Sequence, residues 1–144
     1  MKKNFIFQGV FALLILFAVG GCKVNDEYTH EVYKPVYKSF DAFRNSFQSG
    51  PAKEIQQAGK IYFKDNYLFV NEVNKGIHVI DNADPSNPIR LAFYELEGNV
   101  DMAIRGNILF ADSYIDLVSL DISDVMNPVV VSRLENAFPD VLPP

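Results

Sequence analysis

Ile77-His78-Val79-Ile80-Asp81-Asn82-Ala83-Asp84-Pro85-Ser86-Asn87-Pro88 decides the fold, because the chain restates it 40 residues later as Leu117-Val118-Ser119-Leu120-Asp121-Ile122-Ser123-Asp124-Val125-Met126-Asn127-Pro128. Each copy is an apolar strand ending in Asp, a second Asp three residues on, and then Asn-Pro. Upstream, Lys64-Asp65-Asn66-Tyr67-Leu68-Phe69-Val70 matches Arg105-Gly106-Asn107-Ile108-Leu109-Phe110-Ala111 at an offset of 41. The one-residue difference falls at Asn74-Lys75-Gly76, a turn that the second copy makes more tightly. Downstream, Ile89-Arg90-Leu91-Ala92 aligns with Val129-Val130-Val131-Ser132.

A period near 40 residues with several short strands per unit is a propeller-blade pattern, since one four-stranded sheet cannot bury both its faces alone. Turn residues divide the first unit into strands near 59–64, 67–72, 76–81 and 89–96, and the second near 99–105, 107–113, 116–121 and 129–135. Successive rather than alternating apolar residues, as in Ile77 to Ile80, predict sheets covered on both faces. The expected class is therefore all-β: two propeller-like blades of antiparallel four-stranded sheets forming an incomplete propeller, with a short N-terminal helix and a helical signal peptide.

Outside the repeats, residues 1–21 read as an export signal. Lys2 and Lys3 precede an apolar run from Phe5 to Val19 broken only by Gln8, and Gly20-Gly21 lead to Cys22. The run is too short for a spanning helix, which needs about 20 apolar residues. These residues resemble a bacterial lipobox, which implies diacylglycerol attachment at Cys22, cleavage before it and acylation of the new amino terminus. Cys22 is the single cysteine of the 144-residue chain, so no intrachain disulfide can form. One acyl chain binds membranes only marginally, and the three that the resemblance implies would hold durably.

Residues 22–57 form a tether and lead-in. The expected helix is capped by Ser39, carries Phe40, Phe43 and Phe47 on one face, and stops at Gly50-Pro51. Lys23 with Asp26 and Glu27 loosely resembles a surface-export signal, so the expected address is the cell envelope, lipid-anchored at the outer membrane, on its periplasmic face or at the surface. Removing the signal leaves 11 basic against 18 acidic side chains, a formal charge of −7. That balance disfavours a nucleic-acid partner and electrostatic docking on anionic headgroups.

The Ile-His-Val-Ile-Asp and Leu-Val-Ser-Leu-Asp strands, each followed by Asp-x-x-Asn-Pro, resemble the LVIVD repeat of β-propeller proteins. The resemblance covers two units, 58–97 and 98–136, and departs at Val125-Met126, where the first copy has Pro85-Ser86. It implies fold and address more than activity.

Asp81, Asp84, Asn87 and Pro88, with Asp121, Asp124, Asn127 and Pro128, read as turn builders. Asp and Asn side chains accept from nearby amides, and proline ends one ladder before the next strand. The metal alternative needs six to eight oxygens at one point for a hard cation, whereas these acids recur once per blade. His78 reads as a strand residue, without a second histidine or cysteine at ligand spacing. Ser113 has no evident histidine partner. Glu95, Glu97, Asp101 and Asp112 are scattered acids near strand ends, and Asp101 and Asp112 are candidates for a channel mouth. The sequence thus predicts no catalytic residues, cofactor or metal, and a binding scaffold for a protein or glycan anchored through Cys22. The competing expectation is a fragment of a propeller enzyme acting on carbohydrate. A closed propeller has about four to eight blades, and residues 137–144 read as a linker. The expectation is accordingly a piece of a longer protein. Assembly of several copies and a two-sheet sandwich are the alternatives, and the DNA beyond Pro144 would discriminate.

Overall fold

The computed structural model describes residues 37–139, so the expected signal helix and Cys22 lie outside the described residues. A short helix, α1 (Phe40–Arg44), leads into β1 (Gln48–Pro51), and two antiparallel sheets follow. The first contains β2 (Ala58–Lys64), β3 (Tyr67–Glu72), β4 (Gly76–Asp81) and β5 (Ile89–Glu95) in chain order, with β1 added beside β5. The second contains β6 (Met102–Arg105), β7 (Ile108–Ser113), β8 (Asp116–Asp121) and β9 (Val129–Leu134), also in chain order. Two meandering sheets, one per repeat, make an all-β, propeller-like fold with two blades.

Turn chemistry sets the hairpins. Asp65, Asn74, Tyr114 and Gly106 each take a left-handed conformation, at φ 53°, 62°, 53° and 60°. Asn and Asp tolerate that region because their short side chains hydrogen-bond locally, and Gly carries no Cβ to clash. Gly76 opens β4 at φ 148°, where an added Cβ would stand 2.0 Å from the carbonyl oxygen of Tyr94. Only glycine lets β4 and β5 approach there.

The lead-in departs from expectation twice. Ser39 caps α1, its Oγ accepting from the Ala42 amide at 3.2 Å, but the helix ends at Arg44. Asn45 Nδ2 and Ser46 Oγ donate to the carbonyls of Asp41 and Phe43 at 2.8 and 2.6 Å. Such side chains compete for the carbonyls a longer helix would use. Gly50-Pro51 is consequently not a helix stop. It ends β1, which pairs Gln48 with Glu95 and Pro51 with Ala92. The first blade therefore has five strands rather than four, because β5 offers an open edge and backbone pairing satisfies it. Phe47 leaves the helical face and packs edge-on against Tyr94, with ring centroids 6.4 Å apart.

The blades meet face to face. Register puts Phe69, Ile77, Val79, Ala92 and Tyr94 on one side of the first sheet. Met102, Leu109, Ala111, Val118 and Leu120 share one side of the second. All ten belong to a single buried cluster. Each fully buried Leu, Ile, Val or Phe side chain contributes about 1.5–3 kcal/mol. Two hydroxyls cross the junction, Tyr62 to the Ile104 carbonyl at 3.0 Å and Tyr94 to the Val125 carbonyl at 2.6 Å.

The lead-in clasps both blades. Phe43 is buried edge-on against Tyr114, and Arg44 meets Asp116 at the start of β8. Immediately downstream, β1 lies on the first blade and Ser49 Oγ donates to the Met126 carbonyl at 3.2 Å.

Candidate functional site

The two Asp-x-x-Asn-Pro segments form matching turns. Asp81 Oδ1 accepts from the Ala83 amide at 2.9 Å, and Asp121 Oδ1 accepts from the Ser123 amide at 2.9 Å and its hydroxyl at 2.7 Å. Asp84 Oδ1 accepts from the Ser86 amide at 3.0 Å, and Asp124 Oδ1 from the Met126 amide at 2.9 Å. The Val125-Met126 departure leaves this turn intact, because the bonded group is backbone. The amides of Asn87 and Asn127 close on the carbonyls of Asp84 and Asp124 at 2.9 and 3.1 Å, and Asn127 Nδ2 adds a bond to Asp124 Oδ2 at 2.9 Å. Pro88 and Pro128 stand immediately before β5 and β9. Hydrogen bonds from Ser123 hold Asp121 below the ordinary carboxylate range, and those from the Asn127 side chain and the Met126 amide do the same for Asp124. Each carboxylate serves its own turn, and the acids of the two blades do not converge.

The other acids are likewise engaged. Asp112 Oδ1 accepts from Asn99 Nδ2 and the amides of Val100 and Asp101 at 2.9, 2.7 and 2.9 Å. It organises the entry to the second blade, where buried Asn99 also receives Asn71 Nδ2 at 2.7 Å. Asp101 pairs with Lys60, which holds its carboxyl below the usual range. Glu95 pairs with Lys53 and Glu97 with Lys38. Ser113 Oγ donates to the Glu97 carbonyl at 2.9 Å. Among the described residues no group of three or more His, Cys, Asp or Glu side chains is placed to hold a metal ion.

Two buried charged groups carry no sequence signal. The first is Asp116, fully buried, which accepts from Arg44 Nε and Nη2 at 2.8 and 3.1 Å, Arg133 Nη1 at 3.2 Å and the Asn136 amide at 3.0 Å. Burial opposes its ionisation, but those bonds outweigh it and keep the carboxyl low. Arg44, Arg133 and Asn136 are distant in sequence, so no motif could show the cluster.

The second is Glu72 with His78, on the side of the first sheet facing away from the second. His78 Nε2 lies 3.0 Å from Glu72 Oε2. The amides of Gln56 and Gln57 donate to the same carboxylate at 3.0 and 2.7 Å. Burial raises the Glu72 pKa, and the bonds from Gln56, His78 and Gln57 reverse that to a net lowering. His78 is 1 % exposed, and its Nδ1 has no hydrogen-bond partner. Its ring lies 4.7 Å from that of Phe93, over which Lys53 Nζ sits at 4.7 Å. Together with Lys75 and Glu95 they line a cleft of about 390 Å³ on the rim of the first blade. Glu72 spends its lone pairs on positioning the strap of residues 52–57, and the His78 and Phe93 rings are buried beneath Lys53, so the cleft offers paired charges rather than a free base.

No curated protein and no solved structure matches the chain. Residues 56–95, the first blade from just before β2 to the end of β5, match the model of the LVIVD repeat family.

Proposed function

We propose that this chain is a cell-envelope lipoprotein, anchored through lipid on Cys22, whose LVIVD-type blades act as a binding scaffold for a protein or glycan. The anchor reading rests on the sequence from Lys2 to Cys22. The observation that carries the scaffold reading is the rim cleft, whose exposed lining is Lys53, Glu54, Lys75 and Glu95. A concave site ringed by charged side chains of both signs suits ligands rich in hydroxyl or amide groups, as glycans and peptides are. The acids nearest to it are engaged with lysines or backbone amides, which favours recognition over turnover.

Metabolic palmitate labelling tests the anchor. Label is expected on the wild type, and Cys22→Ser is expected to lose it and leave the membrane fraction; label retained in that variant would end the lipoprotein reading. A glycan array run with a hydrolase screen on the full-length protein tests the scaffold. Binding without turnover is expected. Hydrolysis that disappears in Asp101→Asn would replace the scaffold with an enzyme.

A further inference from the structure

The two blades hold a cation at the same place. Glu95 ends β5, and its repeat equivalent at the offset of 40, Glu135, follows the last residue of β9. Glu135 pairs with Arg44 at 2.9 Å, and Glu95 pairs with Lys53. Both cations come from the lead-in. Both lie over a phenylalanine ring, Arg44 at 5.6 Å from the centre of Phe43 and Lys53 at 4.7 Å from that of Phe93, where the ring quadrupole attracts them.

The two corners differ in how firmly the cation is held. Arg44 also bonds the fully buried Asp116 through Nε and Nη2, and its side chain is largely buried. Among the described residues Lys53 has Glu95 as its one ion-pair partner, and the two side chains are 48 % and 44 % exposed. Such an exposed pair contributes little, because water competes for both charges. The other glutamates of the cleft have partners of their own: Glu54 holds Arg90, Glu97 holds Lys38, and Glu72 holds His78 and the strap. Lys53 is thus the replaceable cation there.

Beneath Lys53 lies a hydrogen-bonding group that a lysine leaves unmet. His78 lines the same cleft, and its buried Nδ1 has no partner. Nε2 faces the Glu72 carboxylate and donates to it. A proton on Nδ1 would be buried without an acceptor, so Nδ1 presents a lone pair. Lys53 brings a compact point charge, which bonds Glu95 while Nδ1 stays unpaired. A guanidinium is a planar fork of N–H donors that also stacks on aromatic rings. It can serve Glu95 from one nitrogen and Nδ1 from another while lying over Phe93. Arg44 does the equivalent in the second blade, where different nitrogens serve Glu135 and Asp116 above Phe43.

We infer that the rim cleft of the first blade receives the guanidinium of an arginine on a partner protein, which displaces Lys53 from Glu95 and Phe93 and donates to His78 Nδ1. This rests on the scaffold reading and narrows its ligand from a protein or glycan to a protein that presents an arginine. One cation leaves as another enters, so the charge of the cleft is conserved. Every group involved belongs to the lead-in or to the first blade.

The probe is Nα-acetyl-arginine amide, titrated into the full-length protein in mild detergent, with Nα-acetyl-glutamine amide as the neutral control. His30 is the only other histidine, so a His30→Gln background lets nitrogen NMR read the His78 ring alone. The arginine probe should move the Nδ1 signal upfield saturably at millimolar concentrations, the mark of a lone pair gaining a donor, and the control should not. Lys53→Met should tighten binding by about tenfold, because the competing occupant is gone. Glu95→Gln should weaken it by about tenfold or more, because a charge-assisted bond is lost. Both positions are close to half exposed, so the melting curves should stay near that of the wild type. An unmoved Nδ1, equal binding of the glutamine probe, or Lys53→Met binding no tighter than wild type would overturn the inference. A glycan-array signal beside a silent arginine probe would overturn it and leave the scaffold reading standing, whereas silence in both would end both.

Discussion

Asp116→Asn is expected to destabilise the protein by about 3–5 kcal/mol, the usual cost of removing one partner from a buried ion cluster. Asn is nearly isosteric, so no cavity forms and the effect isolates the charge. Its amide keeps one acceptor and turns donors toward Arg44 and Arg133, whose side chains are only 16 % and 12 % exposed. Arg44 retains Glu135 at 2.9 Å, but that carboxylate is largely in water and replaces little of the lost field. Domains of this size are stable by about 5–15 kcal/mol, and each kcal/mol moves the midpoint by about 4–8 °C. The melting temperature should thus fall by more than about 12 °C, readable by circular dichroism. The pH dependence has a definite sign. Asp116 has a folded pKa below its unfolded one, so its stabilisation is complete above the ordinary Asp value of about 3.9 and fades as pH drops through the folded value. The gap between wild type and Asp116→Asn should narrow below about pH 4. A gap constant from pH 7 to pH 3 would mean that the carboxylate charge is not what holds this corner.

Glu72→Gln should cost about 2–4 kcal/mol and loosen the strap over the first blade. Three donors converge on this carboxylate, from Gln56, Gln57 and His78. A glutamine offers one oxygen and points an NH₂ group at the remainder, so at least one of the three donors faces another donor. Each buried donor so orphaned costs about 1–3 kcal/mol. The amides of Gln56 and Gln57 can turn to water, so part of the strain is relieved by letting residues 52–57 lift. Tryptic cleavage after Lys53 should therefore speed up by about tenfold or more, since cleavage follows the population of the open form and about 1.4 kcal/mol is a factor of ten. An unchanged cleavage rate would show that the strap is held by Glu54–Arg90 and Lys53–Glu95 instead.

Local signals explain what was legible in the sequence. The strands of both blades follow from turn residues whose chemistry acts within a few positions, such as Asp65, Asn74, Gly106 and the Asn-Pro pairs. The repeat doubled that signal, because an accidental turn does not recur at the same offset. Strand β1 was illegible, since Gln48-Ser49-Gly50-Pro51 has no strand-forming side chains and exists because β5 has an edge to fill. The Phe40, Phe43 and Phe47 spacing pointed to a helix longer than the one formed, because periodicity is silent about Asn45 and Ser46 taking its last carbonyls. Asp116 and Glu72 were passed over for a different reason. Their partners come from other elements, Arg44 lying 72 residues before Asp116, and no spacing rule reaches that far. The same distance hides which of the many acids are buried.

The clasp formed by α1 and β1 has a consequence in time rather than in energy. Arg44 waits for Asp116 across 72 residues, and Ser49 for Met126 across 77. Loop closure over such spans is entropically unfavourable until the rest is in place. On a ribosome adding about 5–20 residues per second, Arg44 spends on the order of 4–15 s in the nascent chain before Asp116 is even made. During that interval Phe43 lacks Tyr114, the ring it packs against edge-on in the folded chain. The lead-in, first of the described elements in the chain, is thus the last to find its partners.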